Sequence, residues 1–186
     1  MLIWKRVGLV VGFPSLVLLI PLLAMQVTDE VAWSGADFLV AFLLLSGSVA
    51  LYGWIVQAGA CRGHRMGAAA FVLALLFLVW ANLAVGIIGD ETHPGNLLYG
   101  GVVLVALVWG GAVRFRARPM VGVVALVAAL LAAVPVVSYL FLEPGLPAVE
   151  WWSIAGINAF FVLMLAVSGL LFWRAGMRER QLWIRG

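Results

Sequence analysis

The sequence predicts an all-α integral membrane protein: a bundle of six spanning helices, joined by short turns, with no soluble domain. Composition and charge placement predict it independently. Hydrophobic residues make up 66% of the chain and charged residues 10%, with a mean hydropathy of +1.17, far outside the range of soluble domains. The charges fall into turns about one span apart, basic turns alternating with acidic ones. At about 20 residues per crossing, six spans and their turns use nearly all of the 186 residues.

Helix 1 is expected over about 3–25. Trp4 marks the interface, Lys5 and Arg6 hold the start on the cytoplasmic side, and Pro14 and Pro21 kink the span by removing backbone donors. A signal peptide has the same basic-then-apolar order, but no small-residue cleavage site stands near Gln26, so a retained helix is expected. The turn 26–36 holds Asp29, Glu30 and the anchor Trp33. Helix 2, about 37–60, ends at a basic turn of Arg62, His64 and Arg65. Helix 3, 67–89, would be about 34 Å long at 1.5 Å per residue.

The polar turn Asp90 to Asn96 then leads into helix 4, 97–113, which ends at Arg114, Arg116 and Arg118. Pro119 opens helix 5, 119–142, a natural position for proline, and Pro135 kinks it further on. The third acidic turn, EPGLPAVE at 143–150, precedes helix 6 at 151–173. The tail 174–186 alternates Arg178, Arg180 and Arg185 with Met177, Leu182, Trp183 and Ile184, as expected of a short helix lying on the inner membrane surface.

All eleven Lys and Arg residues fall on one side of this layout, and seven of the eight acidic residues on the other, with Glu179 the exception. Lys and Arg near span ends mark the cytoplasm, so both termini are expected there. Adding or removing one helix breaks the partition. The same placement accounts for the net charge of +3, so no nucleic-acid partner is expected. Acidic turns recur about every 60 residues. A triplicated hairpin would do this, but so does any series of membrane-spanning hairpins, which better fits the poor identity between units.

The lone Cys61 excludes an internal disulfide or a dithiol relay. No Asp, Glu, Lys or Arg lies inside a predicted span, which disfavours a proton-coupled carrier. His64 and His93 fall on opposite sides of the layout, so they do not form a shared haem site. Zinc-protease and nucleophile-elbow motifs are absent, and no cofactor is expected.

Asn82 and Asn158 are the notable intramembrane polar residues. Each is eight positions from an acidic turn residue, Asp90 and Glu150 respectively, or about 12 Å along a helix. One reading is an interhelical hydrogen bond of about 0.6 kcal/mol. The other is a polar floor for an outward-facing cavity, with Ser138 and Tyr139 as further lining. The densest ligand-bearing cluster is Asp90, Glu91, His93 and Asn96. It reads either as a simple reversal at Pro94 or as part of a divalent metal site. Small-residue pairs at Gly8–Gly12, Gly59–Gly63, Gly63–Gly67 and Ala129–Ala133 permit close helix approach.

The stretch WANLAVGIIGDETHPGNLLYG, Trp80 to Gly100, resembles small polytopic membrane proteins of bacteria whose activity is unassigned. The turn from Val113 to Arg116 and the AFF…LLFWRAG pattern, Ala159 to Gly176, are similar too. This resemblance implies a bacterial cytoplasmic membrane and carries over no activity to particular residues. The expected function is a non-catalytic accessory or assembly subunit, packed in the bilayer against a membrane-protein partner or a second copy. The alternatives are a small-solute carrier or channel around Asn82 and Asn158, or a membrane-embedded enzyme using the Asp90–His93 turn.

Overall fold

In a computed structural model the chain is all-helical, and residues 2–59, 61–90, 92–142 and 147–185 are described. Glu91 and Glu143 lie outside the described residues, as do the side chains of residues 2–7, 179 and 182–185. The helices are α1 (Leu2–Val27), α2 (Gly35–Ile55), α3 (Arg62–Ala84), α4 (Leu97–Ala112), α5 (Ala117–Val137) and α6 (Ala148–Arg185). Six helical stretches are long and apolar enough to cross a membrane, one for each of these helices, that of α4 taking in the 3-10 turn Pro94–Asn96 before it. No strand occurs among the described residues.

The chain divides into two compact units, Met1–Trp54 and Ile55–Gly186. In the first, Pro14 and Pro21 lie inside α1 without ending it. Asp37 starts α2 by accepting from the Ser34 backbone N–H at 2.7 Å and from the Ser34 hydroxyl at 2.8 Å. A Cβ at Gly8 or Gly12 would meet nothing within 4 Å.

In the second unit, α6 packs against both α3 and α5, and α4 packs against α5 and α3. Phe71, Leu75 and Leu78 of α3 meet a core shared with Val123, Val127 and Leu131 of α5 and Phe161, Leu165 and Phe172 of α6. Between apolar helices in lipid, association depends on close packing and hydrogen bonds more than on transfer from water. Both operate between α3 and α6. A Cβ at Gly67 would lie 3.2 Å from the Phe172 ring, and the buried Ser168 hydroxyl donates to Gly67 O at 2.9 Å. The small-residue reading therefore holds within the chain at Gly63 and Gly67, where α6 comes close, while Ala129 and Ala133 are exposed.

Four elements differ from the sequence reading, the first being helix 2, which ends at Ile55 and passes through a 3-10 turn, Val56–Ala58, into extended backbone at Gly59. Helix 3 starts and ends five residues early, at Arg62 and Ala84. The Cys61 sulfur accepts from the His64 backbone N–H at 3.4 Å and starts the helix, while Gly86 and Gly89 take positive φ and turn the chain after its end. His64 is consequently no basic-turn residue. It is fully buried, its Nε2 lies 2.9 Å from Ile55 O, and its ring meets Phe172 edge-on at 5.3 Å.

Helix 5 begins at Ala117, with Pro119 in its first turn, and gives way after Pro135 to a wider π-type turn at Ser138–Leu142. Residues 174–185 form no separate surface helix. They continue α6, which has 38 residues and is about 57 Å long at 1.5 Å per residue. Arg, Met, Glu, Gln and Leu in that stretch all favour helix, and no proline interrupts it.

Candidate functional site

Asn82, Asp90, His93 and Asn96 of the sequence-predicted polar residues meet at the turn between α3 and α4. Asn96 organises it. Its Oδ1 accepts from the backbone N–H groups of Ile87 at 3.1 Å and Ile88 at 3.0 Å. Its Nδ2 donates to Ile88 O at 3.2 Å and to Asp90 O at 2.6 Å. A side-chain amide has two donor hydrogens and two acceptor lone pairs, so Asn96 is fully occupied by backbone. It thereby satisfies two N–H and two carbonyl groups of the irregular chain 85–90, which no helix ladder pairs.

The rest of the turn is held locally. Asp90 Oδ1 accepts from the Thr92 backbone at 2.8 Å and the Thr92 hydroxyl at 2.6 Å. These bonds, with a smaller contribution from His93, hold the Asp90 carboxyl below its ordinary range. His93 Nδ1 accepts from the Gly95 N–H at 3.1 Å, capping the 3-10 turn Pro94–Asn96 that opens α4. The Asp90, His93 and Asn96 side chains thus build the loop. Among the described residues no three His, Cys, Asp or Glu side chains come together as a metal site, and Glu91 is not described.

Asn82 bonds to this turn and Asn158 to the first turn of α4 beside it. Asn82 stands in the last turn of α3, since α3 ends at Ala84, and not about 12 Å along a helix from Asp90. Its Nδ2 donates to Asn96 O at 3.2 Å, and its Oδ1 is shielded from solvent without a partner. Asn158, buried on α6, donates from Nδ2 to the Tyr99 hydroxyl at 2.8 Å and to Ile154 O at 2.9 Å. Asn82 and Asn158 are therefore linked through the Asn96–Tyr99 segment and not to each other.

A cavity of about 510 Å³ opens beside that segment. Its polar wall is Asn82, Thr92, His93, Asn96 and Tyr99, and its apolar wall includes Leu78, Val79, Leu83, Leu97 and Val103. Of the lining residues Leu78 and Tyr99 are buried, while Leu83 and Leu97 are exposed. Among the described residues no Asp, Glu, Lys or Arg lines it. Most of its lining is apolar, and the Asn96 amide is committed to the loop.

Ser138 and Tyr139 do not join it. Ser138 is buried with its hydroxyl unpartnered, and Tyr139 is exposed on a separate depression of about 320 Å³ beside Val136 and Trp151. Sequence reasoning missed Tyr99. A tyrosine in an otherwise apolar first turn, three residues after Asn96, is the signal that points to it.

No family model matches the chain, and neither a curated protein nor a solved structure shows significant similarity to it.

Proposed function

We propose that this chain is a small-molecule binding protein or carrier of a bacterial cytoplasmic membrane. It is a six-helix bundle with both termini in the cytoplasm and the α3–α4 turn on the outer side. One observation carries the reading: Asn82, His93, Asn96 and Tyr99 face a single 510 Å³ cavity, within the size range of small-ligand sites. The orientation rests on the clustering of Lys and Arg in alternate turns.

Gly100 supplies the test, because it lines the cavity and a Cβ there meets nothing within 4 Å. Gly100→Phe fills the space without an initial clash. Wild-type protein extracted in mild detergent should carry a small molecule detectable by native mass spectrometry, and Gly100→Phe should lose it. Identical spectra would reject the reading.

A second reading, an accessory subunit, is favoured by the length of α6. At about 57 Å it exceeds a hydrocarbon core of about 30 Å, so its end, bearing exposed Arg174, Arg178 and Arg180, would project into the cytoplasm as a handle for a partner. A protein that co-purifies with the full chain should be lost on removal of residues 178–186. Retention of that protein would exclude the handle.

A further inference from the structure

We infer that the seam between α3 and α6 holds an anionic phospholipid, its phosphate at Arg62, Arg174 and Arg178 and an acyl chain along the apolar strip beside them; this rests on the membrane-spanning reading and not on the α3–α4 cavity. The seam lies wholly within the unit Ile55–Gly186. A Cβ at Gly63 would lie 3.5 Å from Leu171 O and 3.6 Å from the Ala175 Cβ, while Gly67 O accepts from the Ser168 hydroxyl. The two helices are therefore in contact and antiparallel. Each residue turns a helix by about 100°. Arg62 precedes Gly63 and Arg174 precedes Ala175, and in antiparallel helices those two steps lead to the same side of the seam. Arg178, four residues after Arg174, shares its face. All three arginines are exposed.

The same spacing continues inward as an apolar strip. Met66 and Leu73 follow Arg62 by four and eleven positions, and Leu170, Val167 and Leu163 precede Arg174 by four, seven and eleven. All five are exposed. From Arg62 to Leu73 is about 17 Å of helix, close to half of a hydrocarbon core of about 30 Å, so the strip has the length of one leaflet's acyl chains. Exposed Trp173, next to Arg174, marks the same level as a membrane interface. Arg118 of α5 packs at Gly176, about 160° around α6 from Arg174. That helix lies on the other side of α6 and does not cover the strip.

Charge selects the head group. Within 20 positions of Arg62, Arg174 or Arg178 the only Asp or Glu is Glu179. Its side chain lies outside the described residues, and three guanidiniums exceed one carboxylate by two charges. Guanidinium groups bind phosphate oxygens through paired N–H donors, and basic sites between spanning helices are suited to anionic lipid head groups.

The test uses the full chain in a maltoside detergent, with native mass spectrometry of phosphatidylglycerol and phosphatidylcholine that carry identical acyl chains. Phosphatidylglycerol is expected to bind at least about fivefold more tightly. Arg62→Gln and Arg174→Gln should each weaken it about fivefold, the effect of one cation near an anionic lipid surface, and leave phosphatidylcholine as in the wild type. Arg116→Gln removes an equal charge from the exposed α4–α5 turn and should leave the ratio of the two lipids unchanged. Glycerol 3-phosphate, a head group without chains, should not displace phosphatidylglycerol at equal concentration.

Equal affinity for the two lipids in the wild type would overturn the inference. An equal loss in Arg116→Gln would overturn it too, since diffuse positive charge would then account for the preference. Displacement by glycerol 3-phosphate would overturn the lipid assignment and leave a phosphate site that makes no use of the strip. Substitutions on two different helices carry the test, so it is decided even if one variant does not fold.

Discussion

Asn158 of α6 donates to the Tyr99 hydroxyl of α4 over 2.8 Å, joining side chains 59 positions apart in the chain. Both residues are buried. Interhelical bonds of this kind average about 0.6 kcal/mol and reach about 1.7 in membrane proteins. Tyr99→Phe and Asn158→Leu, taken singly and together through unfolding in detergent, should give a coupling energy in that range. Strict additivity of the two would show that the bond contributes nothing to holding α4 against α6.

A larger effect is expected at Asn96. Asn96→Leu leaves the Ile87 and Ile88 N–H groups without their acceptor, at about 1–3 kcal/mol for each buried amide. The loss should total about 2–6 kcal/mol. Asn96→Asp keeps the two acceptor bonds but turns its other oxygen on Ile88 O and Asp90 O, where Nδ2 had donated, so it should destabilise too. Hydrogen exchange localises the effect. The Ile87 and Ile88 amides should lose protection in Asn96→Leu and retain more of it in Asn96→Asp.

Asn96 also marks the limit of what was legible in the sequence. Six apolar spans were readable because span length and charge placement are one-dimensional properties of the chain. The ends of α3 were not: Val85 to Gly89 is apolar enough to read as helix, and only the positive φ of Gly86 and Gly89, together with Asn96 bonding to the loop, makes it a loop. The Asp90–Asn96 cluster looked like a ligand set because its side chains are the right types, yet Asp90 and Asn96 direct their hydrogen bonds to their own loop. His64 misled in the opposite direction. Between two arginines it reads as surface, and its burial depends on Phe172, more than 100 positions away.

The α4–α5 turn contains an unfavourable backbone that a substitution can relieve. Arg114 has φ 54° and sits where the chain leaves α4, its N–H bonded to Gly111 O and the next N–H, of Phe115, bonded to Gly110 O. Glycine is the usual occupant of that position. A left-handed conformation costs other residues about 1–2 kcal/mol, partly offset in a Gly variant by a freer unfolded chain. Arg114→Gly should therefore stabilise the protein by about 0.5–1 kcal/mol. Phe115, at φ 51°, should respond oppositely, because its buried ring packs on Gly110 and Phe115→Gly removes that contact. Melting temperatures of the two variants should move in opposite directions from wild type.

Asp90 gives the α3–α4 loop a dependence on acid. Bonds from the Thr92 hydroxyl and N–H hold its carboxyl below the ordinary value of 3.8. The folded loop therefore favours the carboxylate, and linkage fixes the direction of the effect. The stabilisation is complete above 3.8 and is lost as pH falls through the lower folded value. Protection of the Thr92 amide from exchange should be flat in pH near neutrality, once intrinsic exchange is corrected for, and should fall only below that range. Thr92→Val removes the hydroxyl donor and leaves the backbone one, so the Asp90 carboxyl resonance should titrate closer to 3.8 without reaching it. If Asp90 titrates at the same pH in both proteins, the hydroxyl bond has no part in holding the carboxylate.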